Sequence, residues 1–402
     1  MKSKGDNVNS PKRLKIGIFM DSFYPAIDGV VVVIDNLAKM LAKYNDVTVV
    51  VPYTTTYKED YKKPYDIIRI KSVEVPFMEY NLGIPPIKHS KDYQKLLKKQ
   101  FDIIHIHSPF TIGKLGIKLA KELKVPCIAT VHTRFNFEIE RLAKSKKITN
   151  QIMKKIVHVF NSCDECILVN DTLINELRDY GYKKDYAVIY NGTDLEPIRE
   201  KEKNIQIVNK LYDLEEQDTV LLFVGRINSV KNIFFLLDSL KLLKEDNVKF
   251  KMLYVGSGPD EKKLKDKIKQ CKLNDCVTMT GRVESRTLLS AIYARADLLL
   301  FPSLMDTSSL VRIEAAVNET PGLFIENSMV GQMVENNKNG YTAKENEIEY
   351  KNRIKDILNN KKQLKKVSKT ARKTLGQSWQ QVAKETYDEY LRIIEKHNNG
   401  NF

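Results

Sequence analysis

The sequence predicts an α/β protein made of two Rossmann-like halves of comparable size and a helical C-terminal segment. From Lys15 onward, short β-branched runs alternate with longer helical patterns, as in a parallel sheet covered on both faces. The alternation stops in a charged, poorly periodic stretch after Asn191-Gly192-Thr193-Asp194 and starts again at Val220. From about Tyr350 to His397 the pattern is helical only. Ligands of such sheets bind outside the strand C-termini, so two facing halves imply a cleft whose working residues follow the strands.

Strands are expected in the first half at 15–20, 47–51, 67–70, 103–107, 127–131, 165–169 and 186–189. In the second half they are expected at 220–224, 251–255, 277–280, 298–301 and 322–325. Every apolar run is strand-sized, well short of the roughly 20 residues that a membrane-spanning helix needs. The segment Met1 to Lys15 is polar and the run after it carries Asp21, which argues against a signal peptide and for a cytoplasmic protein. Cys127, Cys163, Cys166, Cys271 and Cys276 form an odd set without regular spacing, so no structural disulfide is expected.

Apolar residues make up 42% of the 402 and charged residues 29%, which excludes a disordered chain. Lys and Arg total 66 against 51 Asp and Glu, a net charge of +15 shared about equally between the halves, and this attracts polyanions of several kinds. The densest cluster is at 144–160, where Lys144, Lys146, Lys147, Lys154 and Lys155 occur with no acidic residue. Ile148, Ile152, Ile156 and Phe160 fall on one helical stripe there, so the segment reads as an amphipathic cationic helix. Either the stripe packs into the core under a solvated basic face, or it lies at the surface of an anionic membrane. With no helix-turn-helix, zinc-finger or RNA-recognition signature, nucleic acid is not an expected partner.

Chemistry concentrates at strand ends. Gly29 opens a helix after Asp21-Ser22-Phe23-Tyr24-Pro25, where backbone N–H groups would face an anion at the helix dipole. Gly225-Arg226 and Lys231 add two cations where a strand hands over to a helix, a planar fork and a point charge suited to a diphosphate. Gly256-Ser257-Gly258-Pro259 ends the next strand. In the window from Pro302 to Ala315, a polar loop leads to a helix capped by Ser308 or Ser309, with Asp306 and Glu314 placed to accept from hydroxyls. Neither a G-x-G-x-x-G fingerprint nor a P-loop occurs, which disfavours a dinucleotide oxidoreductase and a nucleoside triphosphatase. There is no Asp-x-Asp pair and no cluster with metal-ligand spacing, so neither a metal nor another cofactor is expected.

Together and in order, these windows resemble the retaining GT-B glycosyltransferases of family 4, near the bacterial diacylglycerol glucosyltransferases. The likeness runs from Lys15 to about Glu395 and includes Asp102-Ile103-Ile104-His105-Ile106-His107-Ser108-Pro109, His132-Thr133 and Asn191-Gly192. It implies that Arg226 and Lys231 hold the donor diphosphate, Glu314 the ribose hydroxyls and Asp306 the donor sugar. Main-chain groups of Ser308, Ser309 and Leu310 would lie over sugar and phosphate, with Gly256 also in the donor site and Val283 where the base is read. Gly29 would approach the phosphates from the other domain, and His132 would stand near the reacting sugar.

The implied organisation is a polar extension at 1–14, an acceptor domain at 15–192, a linker at 193–218 and a nucleotide-sugar domain at 219–376. The helix at 377–402 is a candidate to cross back to the first domain. The implied activity is transfer of glucose from a UDP-linked donor to a membrane lipid such as diacylglycerol, with retention, on the cytoplasmic face of a membrane. The chain departs from the family at Asp306, where Glu is usual, and at Ser309, where Gly is usual. Those departures keep open a non-catalytic GT-B partner or carbohydrate-binding subunit, and a soluble sugar or protein acceptor is the other alternative.

Overall fold

Strands such as Val220–Val224 and Ile103–Ile106 are buried along their whole length, and this selects near-continuous apolar runs over alternating ones. The computed structural model describes residues 13–26, 28–55, 59–74 and 81–400, so residues 1–12 of the expected polar extension lie outside the described residues. The chain divides into two units, one of Met1–Ile189 with Trp379–Phe402 and one of Tyr190–Ser378.

The first unit runs β1 (Lys15–Phe19), α1 (Gly29–Leu41), β2 (Asp46–Pro52), β3 (Asp66–Ile70), β4 (Ser72–Glu74), β5 (Asn81–Gly83), α2 (Lys91–Leu97), β6 (Ile103–Ile106), α3 (Thr111–Leu123), β7 (Cys127–Val131), α4 (Phe135–Ala143), α5 (Lys146–Asn161), β8 (Glu165–Leu168), α6 (Leu173–Asp179) and β9 (Tyr186–Val188). Its main sheet has the order β3-β2-β1-β6-β7-β8-β9 and is parallel throughout, while β4 and β5 form a separate antiparallel pair. The second unit runs α7 (Lys201–Leu211), β10 (Val220–Val224), α8 (Ile233–Glu245), β11 (Lys251–Val255), α9 (Glu261–Gln270), β12 (Val277–Gly281), α10 (Arg286–Arg295), β13 (Leu298–Phe301), α11 (Leu310–Val317), β14 (Gly322–Ile325), α12 (Met329–Gln332), β15 (Tyr341–Ala343), α13 (Glu347–Asn359) and α14 (Lys361–Leu375). Its sheet, also parallel, has the order β12-β11-β10-β13-β14-β15. In each sheet the winding reverses at the first strand, β1 between β2 and β6 and β10 between β11 and β13. Such a switch point opens a crevice beyond the strand C-termini.

A final helix, α15 (Trp379–Asn398), belongs to the first unit. Tyr390 on it bonds His105 of β6 at 2.7 Å, Arg392 pairs with Glu165 of β8 at 2.5 Å, and Lys396 pairs with Asp185 at 3.1 Å. Burial pushes the Glu165 carboxyl upward and Arg392 only partly offsets it, so the pair fixes position more than it adds stability.

The stretch 193–218 is not a free linker. Leu195, Val208 of α7 and Leu214 enter the core of the second unit, and its charged appearance comes from the solvent face of a helix that buries Val208. The three-residue strands β4, β5 and β15 were not expected from the sequence. Among the described residues no helix is long and apolar enough to cross a membrane.

Candidate functional site

The loops after β10, β11, β12 and β13 meet at the switch point of the second unit. Gly225 and Gly256 let the first two touch: Ile227 N–H donates to Ser257 O at 3.0 Å, and a Cβ on Gly256 would lie 1.9 Å from Gly225 O. Gly256 also has φ +137°, so its glycine answers to chain packing before any ligand is considered. Lys231 reaches the loop that follows β13 through Asp306, and Arg226, which is exposed, directly follows Gly225 at the end of β10. Asn228 caps the turn carrying Lys231, its Oδ1 accepting from Lys231 N at 3.3 Å. Val283, half-buried after β12, packs on the core of the unit.

The two carboxylates of the acidic window have different surroundings. Asp306 holds the Lys231 ammonium through both oxygens, at 2.6 and 2.8 Å. Glu314, 8% exposed on α11, accepts from Tyr293 Oη at 2.9 Å and from Arg286 Nη2 at 3.1 Å. Burial raises the Glu314 carboxyl above the usual range, with Arg286 and Tyr293 restraining it. Burial works against the Arg286 charge, but Glu314 and the hydrogen-bonded Asp194 outweigh it and raise its pKa. Sequence reading missed Arg286 and Tyr293. Their spacing along α10 gives no sign that both reach a carboxylate on α11.

Ser309 is the N-cap of α11, with φ −71°, and its Oγ accepts from Arg312 N at 3.4 Å. Serine there costs no strain and supplies a cap that glycine would lack. The Leu310 and Val311 N–H groups, in the first turn, have no intrahelical acceptor and point out of the helix start. The Ser308 Oγ is buried without a partner. A separate depression of about 480 Å³, lined by Thr219, Asp297, Lys361 and Lys365, lies where β10 and β13 begin, the opposite end from these groups.

At the switch point of the first unit, the Asp21 carboxylate accepts from Ser108 Oγ at 2.5 Å, Thr111 Oγ1 at 2.8 Å and Ile112 N at 2.8 Å, fixing the start of α3. Gly29 begins α1 behind the N-cap Asp28, and a Cβ there would meet nothing within 4 Å, so the chain itself does not require glycine. His132 follows β7, and its Nε2 lies 2.8 Å from His107 Nδ1. His105 is held between Thr130 Oγ1 at 2.6 Å and Tyr390 Oη. All three imidazoles are buried, and His107 Nε2 has no partner. Among the described residues no group of three or more His, Cys, Asp and Glu is arranged to hold a metal ion.

This arrangement of strand-end residues on two parallel sheets has named counterparts. Residues 27–197 match the family described as Glycosyltransferase Family 4, and residues 205–374 match Glycosyl transferases group 1. The chain belongs to the group 1 glycosyltransferases of family 4. It is 29% identical to alpha-monoglucosyldiacylglycerol synthase of Streptococcus pneumoniae over 80% of this chain and 73% of that one. To the protein of the same name from Acholeplasma laidlawii it is 26% identical over 96% of this chain and 98% of that one. Among solved structures, HepE of Anabaena in complex with UDP and glucose superposes with a TM-score of 0.72 at 15% identity, covering 94% of this chain and 99% of that one. Sucrose-phosphate synthase of Thermosynechococcus elongatus superposes at 0.71 and 18% identity, covering 94% and 99%. These likenesses establish the GT-B fold for this glycosyltransferase.

The cationic segment of the glycosyltransferase is a helix, α5, but its apolar stripe is divided. Ile156 and Phe160 are buried with Met153 and Val157, whereas Ile148 and Ile152 are 47% and 36% exposed. The expected continuous stripe fails because the buried face is set by 149, 153, 156, 157 and 160, rotated from the 148/152 line. Lys144, Lys146, Lys147, Lys154 and Lys155 are all exposed, and so is Leu142.

The buried imidazoles give the first unit an acid liability. Burial pushes His105 and His132 down to about 3 and His107 well below its usual range. Unfolding therefore takes up protons between the ordinary value near 6.5 and about 3, so their stabilisation is complete above pH 6.5 and is lost as pH falls toward 3. His105→Asn, which retains a donor and an acceptor, should make the thermal midpoint less dependent on pH between 6.5 and 4 than in the wild type. Parallel midpoint curves for the two proteins would contradict this assignment.

Proposed function

We propose that this glycosyltransferase moves glucose from a UDP-linked donor to the hydroxyl of a membrane lipid such as diacylglycerol, with retention of configuration. The observation that supports the donor reading is that Lys231, on the turn after β10 that also begins with Arg226, reaches Asp306 in the loop leading to the start of α11 at the β10/β13 switch point. A departing diphosphate accumulates negative charge in the transition state. Preorganised donors aimed at that charge contribute roughly 3 to 4 kcal/mol each.

We assign Glu314 to the ribose hydroxyls. Its two oxygens have one partner each from the chain and so keep lone pairs for a diol. Asp306, released from Lys231 when the ammonium turns to phosphate, would accept from the sugar. His132, held by His107, is the residue we assign to the reacting sugar. Charge stabilisation by side chains and a helix end requires no metal, so we expect turnover in EDTA. The lipid acceptor rests on the two synthase relatives and on the exposed lysines of α5 with Leu142, Ile148 and Ile152.

Incubation with UDP-glucose and diacylglycerol vesicles, followed by extraction of lipid-bound glucose, tests this reading. Arg226→Ala and Lys231→Ala should each reduce product formation by roughly 10²-fold. Near wild-type turnover in both would show the diphosphate site to be misassigned.

With half of the apolar stripe buried, attachment of α5 should depend mainly on charge. Co-sedimentation with anionic vesicles should fall sharply on changing Lys147, Lys154 and Lys155 to Glu, and should weaken in wild type as salt rises. Equal sedimentation of the two proteins would point to another acceptor class.

A further inference from the structure

Arg312 was not among the residues expected to act, yet its surroundings are hard to reconcile with a packing role. It is the third residue of α11 and only 4% exposed. Among the described residues its guanidinium meets no carboxylate within ion-pair distance, and its Nε is buried without an acceptor. The ionisable group acting on it is the Tyr190 phenol, not a carboxylate. Burial lowers the Arg312 pKa to about 10, so the side chain remains charged at neutral pH.

Buried charges are ordinarily paired, because taking one out of water alone is costly. The position adds to that cost. Helical side chains lean toward the N-terminus of their helix, so Arg312 reaches toward the first turn of α11 and the loop Asp306–Ser309. The first turn carries the positive end of the helix dipole, and Lys231 stands beside the same loop. Arg312 stands on the same first turn of α11, and with Asp306 engaged by Lys231 and Glu314 by Arg286, neither of these nearby carboxylates pairs with it.

We propose that Arg312 is an anion-binding residue of the donor site, and that the anionic oxygens it takes belong to the donor. This rests on the donor reading given above. The oxygens come from one of two sources, the diphosphate or a carboxylate on the transferred sugar, and both suit the planar guanidinium fork. In the second case the preferred donor is a nucleotide hexuronate, and Arg312 determines specificity.

Calorimetric titration of wild type, Arg312→Met and Arg312→Lys with UDP, UDP-glucose and UDP-glucuronic acid tests the proposal. Contact with the diphosphate predicts that Arg312→Met loses 10-fold or more in affinity for all three, with Arg312→Lys intermediate. Contact with a sugar carboxylate predicts that wild type prefers UDP-glucuronic acid over UDP-glucose by 10-fold or more, and that Arg312→Met erases this preference while binding UDP as before. Removing an unpaired buried charge should also leave the ligand-free thermal midpoint of Arg312→Met unchanged or raised. A folded Arg312→Met that binds all three as wild type does would overturn the proposal and leave the donor reading standing. Failure of Arg312→Met to fold would overturn it in favour of a structural role. Binding of none of the three by wild type would overturn both.

Discussion

Positive charge collected where β10 and β13 diverge is the constraint on which the second unit depends. The parallel sheet makes the location unavoidable, since strands wound outward from β10 leave their C-terminal loops facing one crevice. Gly225 and Gly256 bring two of those loops into backbone contact, and the contact fixes Arg226 and Lys231. In the described structure Asp306 neutralises one of these charges, and α11 presents its own positive end. The remaining acids are committed elsewhere: Glu314 lies under Arg286 and Tyr293, and Asp260 caps the turn through Ser229 N at 2.8 Å. In the proposed function, the donor's diphosphate completes the arrangement.

The first unit uses its switch point differently. Its switch point carries neutral imidazoles, and the carboxylate there, Asp21, is spent on holding α3. The three imidazoles are kept neutral by burial, so they offer hydrogen bonds and shape without charge. The return of α15 secures this region, because Tyr390 closes one side of His105. A residue far along the sequence thus positions a strand-end cluster through one hydroxyl.

Fully buried strands were legible in the sequence because apolar runs such as Val220–Val224 and Cys127–Val131 are of strand length and recur in alternation with helical patterns. The cap of α11 was equally accessible, since a serine pair stands between an apolar strand and a helical pattern, whereas the Lys231–Asp306 pair depends on β10 and β13 being neighbours in the sheet. What escaped depends on long-range packing. Nothing local distinguishes the buried side of α5 by a rotation of one residue, so Ile148 and Ile152 were grouped with Ile156 and Phe160. Arg286 and Arg312 look like ordinary helix-surface cations in sequence, and only the carboxylate partners of Arg286 and the burial of Arg312 set them apart. The segment 193–218 misled through composition, because one buried face on a charged helix suffices to dock it.

The central claim is that a nucleoside diphosphate binds at the β10/β13 switch point, its diphosphate held by the protein's own positive groups without a metal. Hydrogen exchange of the whole protein, with and without UDP and with EDTA present throughout, tests it most directly. The account predicts slowed exchange in peptides covering 224–232 and 302–312, and unchanged exchange across α5. Protection confined to the opposite end of the sheet, around Thr219 and Asp297, or no protection at saturating UDP, would contradict it.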